Sequence, residues 1–95
     1  MYAIAFDMAV ADLKVHYGEP YNNAYFEIGK ILRKYEFYNI QGSVYVSQNR
    51  DMSNLFDAIN TLKEIEWFVS SVRDIRAFRM EDWSDFTLSV KRKQK

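Results

Sequence analysis

The spacing of apolar positions changes along the chain, and each change predicts an element of secondary structure. From Tyr2 to Asp7 large and small side chains alternate, which predicts a strand with its bulky face on a core. Between Pro20 and Tyr35 apolar residues recur at steps of three and four, which predicts an amphipathic helix starting at the proline. Residues 8–18 are compatible with a loop or a short helix.

The middle of the chain has the pattern of a hairpin followed by a second helix. Residues 37–40 and 43–47 predict two strands, joined by a tight turn in which Gly42 supplies an unusual backbone angle. Asp51 is a suitable N-cap for a helix that runs to about Trp67.

Val72–Met80 predicts a fourth strand, and residues 83–90 predict a short helix or a fifth strand. The order strand, helix, strand, strand, helix, strand is typical of the α+β ferredoxin-like fold, an antiparallel sheet with two helices on one face and here a short C-terminal extension. We expect the first strand to be central, parallel to the third and antiparallel to the fourth. Asp7 and Asp74 should then be neighbours, with Ser43 toward the opposite end of the sheet.

Composition narrows the class of protein. A chain of 95 residues with 48% hydrophobic content supports one core, which we assign to residues 1–90. Because there is no cysteine, disulfide frameworks and thiolate metal sites are excluded, and a reducing cytoplasmic compartment is favoured. No apolar run approaches the roughly 18 residues of a membrane span.

Acidic and basic residues are unevenly distributed along the chain, although the net charge is zero. Residues 1–90 carry nine basic residues against all 13 acidic ones, a deficit of four that Lys91, Arg92, Lys93 and Lys95 cancel. Residues 91–95 are therefore a basic tail, either a frayed, solvated terminus or an arm for phosphate or an acidic partner.

Two carboxylates at adjacent strand ends are the main candidate for chemistry. Close like charges raise one pKa for acid–base catalysis or hold a divalent cation such as Mg²⁺, so Asp7 and Asp74 are the first candidates. The alternative is that Asp74 only pairs with Arg73 or Arg76. Glycine-rich phosphate loops, paired-histidine motifs and Cys/His zinc spacings are absent from the sequence, which disfavours cofactor enzymes and zinc proteins.

Hydroxyl and guanidinium groups supply further candidates. Ser43 and Tyr45 share a predicted strand face and could position a phosphate, although serines beside turn glycines are commonly structural. Arg73 and Arg76 could bind a nucleic-acid backbone or form ion pairs across a subunit interface. The tyrosines of the first helix lie on its apolar stripe and are assigned to the core.

Several segments are similar to the VapD (virulence-associated protein D) family. They are MYAIAFD, YGEPYN, QGSVY, IEWF, SVRDIRAFR and WSDFT, and the resemblance runs from Met1 to about Val90. Members of that family are small bacterial endoribonucleases, usually homodimers, that act as toxins in toxin–antitoxin pairs or as unpaired genes. Their fold is similar to ferredoxin-like, CRISPR-associated nucleases, which carry an aspartate at the end of the first strand.

The resemblance implies a catalytic set of Asp7, Ser43 and Asp74, with Asp7 the metal ligand if a metal takes part. It also implies an RNA substrate cut as a single strand, a homodimer and a small antitoxin protein as partner. Two mechanisms remain open, one with Mg²⁺ activating water and one with a carboxylate acting on the RNA 2′-OH. The alternative function is a non-catalytic dimeric module that binds an antitoxin or nucleic acid.

Overall fold

A computed structural model describes residues 1–92 and shows strands and helices in the predicted order; residues 93–95, part of the basic tail, lie outside the described residues. The elements are β1 Tyr2–Met8, α1 Val10–His16, α2 Asn23–Arg33, β2 Tyr38–Gln41, β3 Val44–Ser47, α3 Met52–Lys63, α4 Glu66–Ser71, β4 Val72–Arg79 and α5 Thr87–Lys91. The two ambiguous segments, 8–18 and 83–90, contain the short helices α1 and α5. Within the described range no helix is long and apolar enough to cross a membrane.

The four strands form one sheet in the order β2-β3-β1-β4, with every neighbouring pair antiparallel. This confirms the α+β ferredoxin-like fold. The predicted parallel pairing of β1 and β3 is wrong. The helical crossover from β1 makes β2 run in the direction of β1, and the hairpin then reverses β3, which pairs between them.

The reversal of β3 moves Ser43 to the same end of the sheet as Asp7. Gly42 occupies the turn with φ of 43°, the left-handed conformation that the sequence predicted for it. Just after it, the carbonyl of Ser43 accepts a hydrogen bond of 3.1 Å from the backbone N–H of Phe6. The expectation that Ser43 lies toward the opposite end is therefore corrected.

Two helix boundaries differ from the predicted ones. α2 begins at Asn23 and not at Pro20, because the Pro20 carbonyl closes a tight turn by accepting a 3.1 Å hydrogen bond from Asn23. The second predicted helix is two helices, since α3 ends at Lys63 and the extended backbone of Ile65 separates it from α4, which begins at Glu66.

The core lies between the sheet and the helices. Ile4 and Phe6 of β1 are buried, and the Phe6 ring stacks on Tyr45 and meets Phe68 edge-on, with centroid distances of 6.0 Å in both cases. The helices supply a further part of the buried core: Leu13, Ala24, Ile28, Leu32, Ala58, Leu62 and Phe68. Burial of these apolar groups fixes β1, the strand that carries Asp7.

Gly29 allows α2 to approach the sheet closely. A methyl group at this position would lie 3.1 Å from the Tyr45 hydroxyl oxygen. Tyr45 is only 8% exposed, so its ring has little room to retreat.

We predict that Gly29→Ala stabilises the protein only when the Tyr45 hydroxyl has been removed. In the unmodified chain, crowding against Tyr45 offsets the helix-propensity gain of about 1 kcal/mol. With Tyr45→Phe the hydroxyl is gone, so Gly29→Ala should raise the free energy of unfolding by up to about 1 kcal/mol. Urea denaturation of the four proteins in this double-mutant cycle measures the coupling, and equal effects in both backgrounds would contradict the contact.

Candidate active site

Asp7 and Asp74 lie directly opposite each other where β1 pairs with β4. In an antiparallel pair such residues point to the same face with Cβ atoms about 4.5–5.5 Å apart. Their side chains are 62% and 49% exposed, so both carboxylates are open to a ligand. The prediction that these two aspartates are neighbours is confirmed.

Each carboxylate of the pair faces an arginine. Arg73 Nη1 lies 3.6 Å from Asp7 Oδ2, while Arg76 Nε donates to both oxygens of Asp74 at 3.1 and 3.3 Å. The Arg73 contact depends on a bulge, since Met8 pairs with Val72 and leaves Arg73 without a partner on β1. The ion pairs neutralise a carboxylate pair that would otherwise repel itself.

Ser43 completes a group of predicted site residues at this end of the sheet. Its carbonyl binds the N–H of Phe6, the residue before Asp7. For the side-chain hydroxyl, the structure of residues 1–92 shows no hydrogen bond. The backbone of Ser43 thus has a structural role, and its side chain is half-buried.

Tyr45, predicted to bind RNA, lies in the core. Its ring packs between Phe6 and the α2 backbone at Gly29, and burial raises the pKa of its phenol. An aromatic ring in this position has no free face on which a base could stack. We therefore leave Tyr45 out of the proposed RNA contacts.

Tyr25 is a residue that the helical stripe assigned only to the core. Burial raises the pKa of its phenol, and the nearby Tyr21 and the Asp7 carboxylate raise it further. Tyr25, in the first turn of α2, is thus near enough to Asp7 for the carboxylate charge to act on its phenol. The predicted order of elements already indicated that Tyr25 lies near Asp7, because the helical crossover that follows β1 starts at the end of β1 where Asp7 lies.

The described residues of this chain do not fit a resident metal ion. Among residues 1–92 no three acidic or histidine side chains come together as a ligand set. Asp7 and Asp74 supply two carboxylates, and each already has a guanidinium beside it. We therefore derive no chemical step through Mg²⁺.

The sequence matches known proteins along almost its whole length. Residues 1–88 match the family described as "CRISPR associated protein Cas2". That match covers β1 through β4 and so includes every residue of the carboxylate and arginine pairs.

Curated relatives extend over the same region. "Endoribonuclease VapD" of Dichelobacter nodosus is 62% identical, covering 96% of this chain and 98% of the relative. "Endoribonuclease VapD 1" of Riemerella anatipestifer is 60% identical over 90% and 97%, and "Endoribonuclease VapD" of Helicobacter pylori is 52% identical over 96% and 99%. With these identities over nearly complete lengths, the chain belongs to the VapD family.

Proposed function

We propose that this chain is an endoribonuclease that cleaves single-stranded RNA and acts as the toxin of a bacterial toxin–antitoxin pair in the cytoplasm. The observation that carries the enzymatic part is the exposed pair Asp7 and Asp74, each beside an arginine, at one end of the sheet. The names of the VapD relatives support the same activity. The toxin role and the antitoxin partner rest on the resemblance to the family.

Asp7 acts as the general base in the mechanism that we favour. Its carboxylate takes the proton of a ribose 2′-OH, and the 2′-oxygen attacks the adjacent phosphorus. The bond from phosphorus to the 5′-oxygen breaks, and that oxygen takes a proton from water or from protonated Asp7. The products are a 2′,3′-cyclic phosphate and a 5′-hydroxyl.

Arg73 and Arg76 stabilise the charge that develops on the phosphate during this reaction. Guanidinium groups match phosphate oxygens with two parallel N–H donors, and such donors lower the barrier when they are already in place. Both arginines are already at the carboxylates, so a phosphate bound at Asp7 meets donors without a rearrangement of the backbone. A role of the Ser43 hydroxyl as a further neutral donor rests on the resemblance to the family, since the hydrogen bond seen at Ser43 uses its carbonyl.

We predict that Asp7→Asn lowers the cleavage rate by about 10²–10⁴-fold, because an amide cannot accept the proton. The substrate is a defined single-stranded RNA, with a second copy that carries a 2′-deoxyribose at the cleaved position. Cleavage of the all-ribose strand should persist in EDTA and leave a cyclic phosphate, and the deoxy strand should stay intact. Growth arrest on expression should likewise require Asp7.

Asp57→Asn is the matched control, since Asp57 is an exposed acid of α3 away from the sheet end. It should cleave like the unmodified protein. If Asp7→Asn cleaves as fast as the unmodified protein, Asp7 is not the general base. That result would favour the alternative function, a non-catalytic binding module. Cleavage that EDTA abolishes, leaving 5′-phosphate ends, would replace the 2′-OH mechanism with a metal-dependent one.

Ser43→Ala separates the two roles of that residue. The hydrogen bond from Phe6 uses the Ser43 carbonyl and survives the substitution, so the free energy of unfolding should stay within about 0.5 kcal/mol. Loss of one hydrogen bond to a charged phosphate should lower kcat/KM by about tenfold or more. An unchanged kcat/KM would leave Ser43 with only its structural role.

The active protein is proposed to be a homodimer. The segment after the sheet exposes large apolar side chains, with Phe86 67%, Leu88 79% and Val90 80% accessible. Isolated exposed apolar residues are ordinary, but three within five positions on one short segment are typical of a surface covered by a partner. A second copy would also enlarge the small core of one chain.

We predict that light scattering at micromolar concentration gives a dimeric mass and that Phe86→Ser with Leu88→Ser gives a monomer. Removing both side chains deletes most of the apolar surface of the segment. Val15→Ser, which alters an equally exposed residue of α1, should remain dimeric. A monomeric mass for the unmodified protein would refute the dimer. A dimeric mass for the double variant would show that the interface lies outside this segment.

A further inference from the structure

A polar depression of about 450 Å³ lies at the end of the sheet opposite Asp7. Here Tyr2 pairs with Arg79, and the N–H of Met80 donates to the carbonyl of Met1 at 2.9 Å, so the pairing of β1 and β4 continues beneath the depression. The lining residues are Met1, Tyr2, Arg50, Arg79, Met80 and Glu81.

The charges of this depression favour an anion. Arg50 and Arg79 are exposed, and the ion pairs found among residues 1–92 involve neither of them. Glu81 is the only acid of the lining, so the two guanidinium groups leave an excess of positive charge, to which the Met1 ammonium, 3.0 Å from the Met80 carbonyl oxygen, adds. Two guanidiniums from different elements, a loop and a strand, give planar donor sets suited to phosphate oxygens.

We propose that this depression, the Arg50–Arg79 site, binds a phosphate of the RNA strand that is cleaved at Asp7. The proposal rests on the proposed function and adds a second contact to it. Tyr2 and Asp7 are five residues apart on β1, which corresponds to about 17 Å along a strand. The site therefore holds a phosphate distant from the scissile one, and its contribution is to affinity and to the length of RNA that is recognised.

The first test measures binding of a labelled single-stranded oligoribonucleotide to the uncleaving Asp7→Asn protein. Adding Arg50→Gln and Arg79→Gln should weaken binding by about tenfold or more, since charge-assisted hydrogen bonds are lost. The slope of log affinity against log salt should become shallower by about 0.7, because one phosphate contact on a single strand is removed. The matched control is Arg33→Gln, which alters an exposed arginine of α2. It should change the RNA affinity and the salt slope much less than the arginine pair does.

Glu81→Gln tests the sign of the electrostatic effect. Removing the only acid of the lining should strengthen binding of the same RNA, the opposite of the arginine variants. If Arg50, Arg79 and Glu81 only stabilised the fold, their substitutions would not change RNA binding in opposite directions. Weaker or unchanged binding by Glu81→Gln would count against a phosphate in this depression.

The second test compares two substrates of the protein with Asp7 intact. A dinucleoside monophosphate has one phosphate, which must lie at Asp7, so Arg50→Gln with Arg79→Gln should leave its kcat/KM unchanged. For the oligoribonucleotide kcat/KM should fall about tenfold. Equal losses for both substrates, or none for the longer one, would overturn the proposal.

Failure of this inference is distinguishable from failure of the proposed function. If Asp7→Asn still cleaves RNA, the assignment of the base is lost, yet the binding results for Arg50 and Arg79 remain valid. If RNA binding is unaffected and only binding of poly-glutamate falls, the depression accepts an acidic protein segment and the phosphate proposal is overturned.

Discussion

The pairing of β1 on both of its edges is the constraint on which the site depends. On one side its register aligns Ala5 with Val44 and brings Ser43 to Phe6, and on the other it sets Asp7 opposite Asp74. A slip of one residue would turn Phe6 out of the core and Asp7 into it, so the burial of Phe6 also determines where Asp7 points. The same hydrophobic packing that stabilises the fold therefore positions the carboxylates at about the separation of a directly opposed pair.

Local patterns in the sequence predicted the elements, their order and the meeting of Asp7 with Asp74. They did not predict the direction of β3, because alternation is identical in parallel and antiparallel strands and only the combination of crossover and hairpin decides between them. That error misplaced Ser43. The bulge that directs Arg73 toward Asp7 also has no signature in the alternation, since it results from one extra residue on β4 relative to β1. Tyr45 was misassigned for a similar reason, because its burial depends on the glycine that faces it from α2.

The ion pairs at the candidate site are suited to exchange. Arg73 and Arg76 are 68% and 77% exposed, and ion pairs in such solvent contribute little to stability, typically about 0–1 kcal/mol. In the proposed mechanism an RNA phosphate takes over the guanidinium groups at small cost and releases the Asp7 carboxylate as a base. The arginines then have two successive partners. In the free protein they screen two like charges, and with RNA bound they stabilise the reacting phosphate.

A chain with zero net charge gains little long-range attraction for RNA, so its contacts must act at short range. The described structure places cations at separate points of the sheet, with Arg73 and Arg76 at one end and Arg79 at the other, beside Arg50. In our proposal a strand of RNA is aligned by the arginines that contact its phosphates, about 17 Å apart along β1. Neutrality makes this alignment selective, because an RNA that reaches only one of the two points gains no compensating attraction from the rest of the surface.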